Sequence, residues 1–455
     1  MSHFFRKDSK MKIFFYLPNA NYKDIDYSRL EEGNPGLGGT EYVILITALL
    51  LSRKIISQNI EKEFQIHVAA QNTNIDIPGI SFVAASDITD VVSMNADYIL
   101  FKYEKNSYIE LTNALQIKKK KDPSIKTKII VWAHNLIDRK ERNIIDKDAN
   151  VPVVLCVSKE QMNLYRDHHL FLKSTYIYNG IPLGYLKSIK GSLPSYSDRP
   201  HEVTSVGSID YYKGFHLIAK AWKTVLAAVP DAKLNVIGAG NLYDRNSKLG
   251  KYGIAEESYE NSFMPYLTEK FEEDGEIKER ILPSVKFWGL MGVEKNDVLK
   301  KTRVGVPNPM GKESFCLVAL EMQAMGAMLT TKDYGGFRNT VYKTGMLYDN
   351  PDDLGKNIIL LLQAEDNHID ECYQWMENNF SYESIADQWL QFILNLHEGN
   401  IILGSKKLPY KENRTDYLGW MREINRRIKS IIGYSLPTIE FYRSILRRFG
   451  LVKDF

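Results

Sequence analysis

Two glutamates in one short segment carry the strongest chemical signal in the sequence. Glu313 and Glu321 lie eight positions apart within PNPMGKESFCLVALE, residues 307–321. The pattern predicts a loop that holds Glu313 and a helix, beginning near Ser314, that holds Glu321 about two turns further on. A helix N-terminus offers unpaired N–H groups and the positive end of its dipole, which suits a diphosphate. A carboxylate before the helix can accept hydrogen bonds from sugar hydroxyls, and one within it can bind a ribose diol. Spacing alone also allows two ordinary surface glutamates around a buried helix.

A lysine in a strand–helix turn is the second candidate. Residues 206–214 read VGSIDYYKG, between a predicted strand and a predicted helix. Lys213 in that turn can reach a phosphate as a point charge. A solvated lysine in an ordinary loop is the alternative.

A glycine loop and a histidine are weaker candidates. Gly36 to Gly39 precede an apolar helix, and glycines let backbone N–H groups approach a ligand closely. The loop lacks the Lys-Ser/Thr end of a phosphate-binding P-loop and the full dinucleotide spacing, so a plain tight turn is the alternative. His134 follows a predicted strand, at the sheet end where ligands of open α/β sheets bind. A neutral imidazole there can donate to a sugar hydroxyl or act as an acid or base, and a capping or core histidine is equally compatible.

Strands and helices must position these residues, and the sequence predicts them as apolar strands that alternate with helical stretches. The first half predicts strands over residues 11–18, 65–70, 98–103, 128–133 and 153–157. The second half predicts strands over residues 203–206, 233–237, 285–288, 303–306 and 328–330, with helices over 215–228 and 315–325. This alternation is typical of parallel sheets covered on both faces. The acidic stretch 256–279 is helix-like, and residues 188–200, rich in Ser, Pro and Gly, predict a linker. We therefore expect an α/β chain of two doubly wound, Rossmann-like domains with a cleft between them.

Length and composition set the outer limits. The chain has 455 residues, of which 44% are hydrophobic and 25% charged, so it is neither disordered nor a disulfide scaffold as a whole. Its three cysteines are scattered, which favours a reduced, cytoplasmic compartment. No apolar run resembles a signal peptide or a membrane span, and no motif of a zinc enzyme or a serine hydrolase is present.

The charge is concentrated at the C-terminal end. Residues 404–455 contain twelve Lys and Arg against five Asp and Glu, a net charge of +7 in a chain whose total is +3. Apolar and basic residues alternate at helical spacing over 417–431 and 439–449, a pattern that suits an anionic membrane surface. The run Lys118–Lys121 could add to that surface. The alternative is a helical pair that packs on the body and leaves its charges in water. Nucleic acid is not an expected partner, because no recognition module accompanies the charge.

The motifs together resemble the family 4 glycosyltransferases, the retaining nucleotide-sugar enzymes of the GT-B fold. The similarity runs from about Met11 to Leu396. It includes Gly38-Gly39-Thr40-Glu41, His134, and residues 157–159, 178–182, 207–214, 236–240, 287–289, 313–321 and 335–336. The resemblance implies an acceptor-binding domain over residues 1–190, a donor-binding domain over 191–400 and a basic helical extension over 401–455.

The resemblance also implies roles for the site residues. Lys213 would hold the donor diphosphate, Glu313 would bind hydroxyls of the donor sugar, and Glu321 would bind the ribose. His134 would lie beside the donor sugar, which makes His134, Lys213 and Glu313 the expected catalytic residues. The other expected donor-binding residues are Gly38 and Gly39 across the cleft, Gly207, Ser208 and Ser314, and Phe315, Cys316 and Leu317 through their backbone N–H groups. Such enzymes typically need no metal, so no cofactor is expected beyond the nucleotide-sugar substrate.

One position departs from the family pattern. The family usually has Arg where this chain has Ser208, so a second phosphate cation is missing from the loop. The expected function is transfer of a sugar from a nucleoside-diphosphate sugar to a glycan or lipid-linked acceptor, in cell-envelope polysaccharide or glycoconjugate synthesis. The enzyme is expected to be cytoplasmic, with peripheral contact to the inner face of the plasma membrane. The alternatives are a nucleotide-sugar epimerase and a non-catalytic GT-B subunit that binds glycan or supports a partner enzyme.

Overall fold

The computed structural model describes residues 10–22, 25–241, 248–401, 403–404, 419–432 and 437–448. The chain forms two compact units. Unit 1 comprises Met1–Leu30, Leu37–Gly180 and Tyr382–Phe455, and unit 2 comprises Glu31–Gly36 and Ile181–Ser381. The chain enters the main part of unit 2 at Ile181 and returns to unit 1 at Tyr382.

Unit 1 is built on a parallel sheet. Its described strands are β1 (Met11–Leu17), β2 (Phe64–Ala70), β3 (Phe82–Ala84), β4 (Tyr98–Lys102), β5 (Lys128–Ala133), β6 (Val153–Cys156) and β7 (Ser174–Tyr176). They pair in the order β3-β2-β1-β4-β5-β6-β7. The order reverses between β1 and β4, which is the switch point where ligands bind in doubly wound sheets. The central strands are almost wholly buried because helices cover both faces, so they read as continuous apolar runs.

The helices of this first part connect successive strands. They are α1 (Gly39–Ser57), α2 (Asp90–Ser93), α3 (Lys105–Lys121), α4 (Arg139–Lys147) and α5 (Lys159–Leu164), with a 3₁₀ turn over His169–Lys173. Helix α1 is buried almost all round, as its apolar sequence predicts.

Unit 2 repeats the plan. It begins with α6 (Leu183–Lys190), and its described strands are β8 (Glu202–Val206), β9 (Lys233–Ile237), the hairpin β10 (Thr268–Glu273) and β11 (Glu276–Ile281), β12 (Val285–Gly289), β13 (Thr302–Gly305), β14 (Met328–Lys332) and β15 (Met346–Tyr348). The parallel sheet has the order β12-β9-β8-β13-β14-β15, with its switch point between β8 and β13. The other helices are α7 (Phe215–Ala228), α8 (Glu257–Leu267), α9 (Lys295–Leu299), α10 (Leu317–Ala324), α11 (Phe337–Thr340), α12 (Asp353–Leu362) and α13 (Ile369–Phe380). The expected fold class, two doubly wound α/β domains, is confirmed.

Two local predictions in this unit are wrong. The acidic stretch 256–279 is helical only to Leu267, after which Asp274 and Gly275 turn the chain into the β10–β11 hairpin with positive φ. The predicted linker lies within unit 2 instead of between the two units. Its first residues end α6, and Arg199 donates to the carbonyls of Thr302 at 2.9 Å and Met325 at 2.7 Å. A Ser- and Pro-rich composition does not reveal such buried side-chain anchors.

The C-terminal part of the chain packs on unit 1. Helix α14 (Tyr382–Glu398) places Trp389 against Phe15 and Trp132, with ring centroids 5.9 and 5.0 Å apart. Its apolar face completes the core of unit 1. Two further helices follow, α15 (Gly419–Ile432) and α16 (Ile439–Arg448). The ends of the predicted tail helices, Tyr417 and Phe449, lie outside the described residues.

Candidate functional site

The two strongest sequence motifs meet at the switch point of unit 2. The loop 207–214 follows β8 and the loop 306–316 follows β13, and these two strands are parallel neighbours. Their carboxyl ends therefore place both loops at the same edge of the sheet, on either side of the reversal in strand order.

Lys213 and Glu313 form an ion pair across the two loops. Asn308 donates a second hydrogen bond to the same carboxylate oxygen of Glu313, at 2.6 Å. Only 17% of the Glu313 side chain is exposed, against 31% for Lys213. Glu313 is therefore not an ordinary surface glutamate, and Lys213 is not merely solvated.

The turn that carries Lys213 is fixed by its neighbours. Asp210 accepts a hydrogen bond from the Lys213 N–H at 2.9 Å. Gly214 follows with φ of +77°, a conformation that disfavours side chains, and a Cβ there would lie 2.2 Å from Met310 Cγ. The glycine thus lets the first loop lie directly against the second.

The segment between Glu313 and α10 is held in an extended form. The Gly336 N–H donates to the Glu313 carbonyl at 2.8 Å, and a Cβ on Gly336 would lie 2.3 Å from the Ser314 carbonyl. The assigned helix consequently begins at Leu317, two residues later than the sequence predicts. Glu321 lies in its second turn.

Ser314, Phe315 and Cys316 are buried in this segment. Phe315 packs edge-on against Phe380, with ring centroids 5.8 Å apart. Burial, with a smaller contribution from Glu313, raises the pKa of the Cys316 thiol. Cys316 is therefore a neutral thiol at physiological pH, and its contribution to an anion site is its backbone.

Glu321 is also paired with a lysine. Lys295 Nζ lies 3.3 Å from a Glu321 carboxylate oxygen, and about a tenth of each side chain is exposed. Sequence reasoning missed Lys295, because it lies in an unremarked stretch at the start of α9, far from Glu321 along the chain. Only the packing of α9 beside α10 brings the two charges together.

Gly207 and Ser208 open the loop after β8. Gly207 has φ of +146°, and Ser208 is buried. A buried serine adds no positive charge to the loop, so the cation that the family pattern places here is absent at this position.

Gly38, Gly39 and His134 lie in unit 1, at the carboxyl edge of its own sheet. The Gly38 N–H donates to Tyr22 Oη at 3.1 Å, and a Cβ on Gly38 would lie 2.2 Å from a Glu41 carboxylate oxygen. Glu41 in turn accepts a hydrogen bond from Lys102 Nζ at 3.1 Å. Gly39 begins α1, with open space where a side chain would extend.

His134 is buried beside Trp132, with ring centroids 4.5 Å apart. Burial, assisted by the charge of Lys102, lowers the pKa of His134 to about 3. The imidazole is therefore neutral near pH 7, where it can exchange hydrogen bonds but cannot serve as a positively charged acid. The roles that start from a neutral imidazole, hydrogen bonding and proton acceptance as a base, stay predictions.

The described part of the chain lacks two features, a metal site and a membrane-spanning helix. No group of three or more His, Cys, Asp or Glu side chains in it has the arrangement of a metal site. None of its helices combines the length and apolar character needed to cross a bilayer.

Residues 200–364 match the family model described as "Glycosyl transferases group 1". This stretch contains Lys213, Lys295, Glu313 and Glu321, together with both loops of the unit 2 switch point. A search of curated protein sequences gives no match.

Solved structures share the fold at low identity. Sucrose-phosphate synthase from Thermosynechococcus elongatus is 16% identical, with a TM-score of 0.58 over 86% of this chain and 100% of that chain. A glycosyltransferase from Rickettsia africae is 12% identical, with a TM-score of 0.57 over 86% of this chain and 100% of that one. Anabaena HepE, solved with UDP and glucose, is 14% identical, with a TM-score of 0.53 over 85% of this chain and 100% of that one. The chain thus has the GT-B fold, and its second unit carries the region that matches the group 1 glycosyl transferases.

Proposed function

We propose that this protein is a retaining glycosyltransferase that moves a sugar from a nucleoside-diphosphate sugar to a glycan or lipid-linked acceptor. The observation that carries the proposal is the pairing of Lys213 with Glu313 immediately before α10, at the switch point of the group 1 region. A cation, a carboxylate and a helix N-terminus are together suited to a sugar diphosphate.

Lys213 and the start of α10 supply the positive charge. The N–H groups around Phe315, Cys316 and Leu317 precede or open the helix, whose dipole favours negative charge at that end. As the glycosidic bond breaks, charge builds on the leaving diphosphate, and these groups stabilise it without reorganising. This electrostatic role is why we propose a reaction that needs no metal.

Glu313 and Glu321 bind hydroxyls in the proposed complex. A diphosphate on Lys213 competes with Glu313 for the ammonium group, which releases the carboxylate to accept hydrogen bonds from the donor sugar. Glu321 accepts from the ribose diol, and its ion pair with Lys295 orients that carboxylate. His134 contributes a neutral hydrogen-bonding group near the sugar. The acceptor hydroxyl attacks from the face that the diphosphate leaves and passes its proton to the departing diphosphate, so the anomeric configuration is retained without an enzyme nucleophile.

The test is a screen of UDP-, GDP- and ADP-sugars by thermal shift and by release of the nucleoside diphosphate. A ligand that binds only the folded state raises the melting temperature with its concentration and affinity. We expect one donor to stabilise the wild type, and Glu321→Ala to remove that shift. A donor that stabilises both chains equally would place the nucleotide elsewhere.

Ser208 supports one second candidate, a non-catalytic GT-B subunit. Its loop carries Lys213 but lacks the second cation of the family pattern, and the buried hydroxyl does not replace one. A chain that binds a nucleotide sugar but releases no nucleoside diphosphate, with any acceptor tested, would favour this candidate. Turnover that Glu313→Gln abolishes would exclude it.

A further inference from the structure

Helix α15 packs on unit 1 through its charged side. Arg422 is buried and donates to the Asn163 carbonyl at 3.0 Å, and Lys429 is buried and donates to the Asp167 carbonyl at 3.0 Å. Between them, the Arg426 guanidinium lies over the Phe171 ring, 5.4 Å from its centroid. These cations are part of the packing against unit 1 rather than a face turned to solvent.

The start of α16 is attached at the same place. The Ile439 N–H donates to an Asp167 carboxylate oxygen at 2.8 Å, and Asn425 donates to the Pro437 carbonyl at 3.1 Å. The two helices are therefore fixed to unit 1 and to each other, rather than loosely tethered.

The apolar side of both helices lies in solvent. We call this surface the tail face. Its members are exposed by 38 to 84%: Trp420, Met421, Ile424, Ile428, Ile431 and Ile432 on α15, and Phe441, Tyr442 and Leu446 on α16. The arrangement is the reverse of α14, which buries its apolar residues. It also differs from the packing that the sequence allowed, in which the charges would stay in water.

The polar side of α15 already contacts unit 1. A contiguous exposed apolar surface on such a helix marks an interaction site. We propose that the tail face lies on an anionic lipid bilayer, with Trp420 and its neighbours inserted at the headgroup boundary. The inference rests on this packing alone and does not depend on the proposed transfer activity.

Charge favours a bilayer over a second copy of the chain. The net charge over residues 404–455 is +7, and it is still +4 without Arg422, Arg426 and Lys429, which pack against unit 1. A second copy would bring an equal positive charge to the face, whereas an anionic surface complements it. Arg427, 75% exposed and paired with Glu423, lies on α15 itself. Aromatic and aliphatic side chains combined with arginine are typical of helices that lie in the plane of a membrane.

The experiment is co-sedimentation of the full chain with vesicles of phosphatidylglycerol and phosphatidylcholine at a ratio of about 30 to 70. The test variant is the triple substitution Ile424→Asp, Ile428→Asp and Ile431→Asp. The matched control is Ile56→Asp, Ile144→Asp and Ile277→Asp, because these three residues are 52 to 77% exposed outside the tail face and give the same change of charge. A melting curve for each variant reports that the chain remains folded, which these exposed positions allow.

We expect the triple variant to lower the partition coefficient more than tenfold and the control to leave it within twofold. We also expect binding of the wild type to weaken as salt rises, and to be weaker on pure phosphatidylcholine. Equal binding by the wild type and the triple variant would overturn the proposal, as would no binding by the wild type. A dimer in the absence of vesicles that the triple variant abolishes would also overturn it, since the tail face would then be a self-association surface.

Discussion

Each unit places a lysine–glutamate pair at the switch point of its sheet, but the two carboxylates lie differently relative to the neighbouring helix. In unit 1, Glu41 lies within the first turn of α1, where its carboxylate already occupies the positive end of that helix. In unit 2, Glu313 lies before the helix, and the first turn of α10 carries no acidic residue. We infer that the position of one carboxylate relative to a helix start separates the proposed anion site of unit 2 from the pair in unit 1.

The largest effect is expected from Glu313. Replacing it by Gln keeps the shape but removes the charge that pairs with Lys213, and it weakens hydrogen bonds to the donor sugar as the bond breaks. We expect transfer to fall by about 100-fold or more, measured as release of the nucleoside diphosphate in the presence of acceptor. Glu41→Gln, the equivalent change in unit 1, should leave the affinity for the free nucleoside diphosphate within about twofold. A loss of that affinity in Glu41→Gln as large as the loss of transfer in Glu313→Gln would erase the distinction between the two pairs.

Lys213 should decide binding of the diphosphate itself. A charge-assisted hydrogen bond contributes about 1.5–3 kcal/mol, so Lys213→Met should weaken binding of the nucleoside diphosphate by about 10- to 100-fold by calorimetry. Lys102→Met, which removes the cation of the unit 1 pair, serves as the matched control and should change it little. A larger loss of affinity in Lys102→Met than in Lys213→Met would contradict the assignment of the diphosphate to Lys213.

Lys295 should act through Glu321, with a smaller effect. Removal of the ammonium group leaves Glu321 less well oriented, so Lys295→Met should weaken binding of a ribonucleoside diphosphate by about fivefold. The 2′-deoxy analogue offers less for Glu321 to bind, so its affinity should change less. An equal loss for both ligands would show a general structural defect instead of a positioning role.

A different kind of effect, on stability rather than on ligand binding, is expected from pH. The pKa of His134 is lowered to about 3 in the folded protein, against about 6.5 in the unfolded chain, so the unfolded state binds the extra proton between these values. The stability from the neutral form is complete above about pH 6.5 and is lost as pH falls towards 3, by up to about 1.4 kcal/mol per pH unit. His168, whose pKa is also lowered to about 3 by burial, acts in the same direction.

Chemical denaturation at pH 7, 5.5 and 4.5 measures this effect. The free energy of unfolding of the wild type should fall towards acid, and His134→Gln should fall less steeply. An unchanged slope in the variant would mean that His134 does not titrate as its burial implies.

The sequence predicts most strands and helices, because their residue patterns are local. It predicts few of the contacts between elements that are distant along the chain. Continuous apolar runs such as residues 128–133 identify their strands because both faces are covered. The strand order places the loops of Lys213 and Glu313 side by side, as the switch point of a doubly wound sheet predicts. Lys295 is different, because its partner lies two elements further along the chain and no local pattern marks it.

The C-terminal helices show the same limit. Helical spacing predicts α15 and α16, but the sequence does not reveal which side of each helix faces the protein. Burial of Arg422 and Lys429 depends on carbonyls of Asn163 and Asp167 that are left available by the end of α5 and the turn after it. The roles of the individual site residues, and the domain limits implied by the resemblance, stay predictions.

The most direct measurement is a crystal structure with the nucleoside diphosphate that gives the largest thermal shift. We expect the terminal phosphate of this ligand to lie within hydrogen-bond distance of Lys213 and of the backbone N–H groups of Phe315 to Leu317. A diphosphate bound at the first turn of α1, beside Glu41 and Lys102, would contradict the comparison and the site assigned to unit 2.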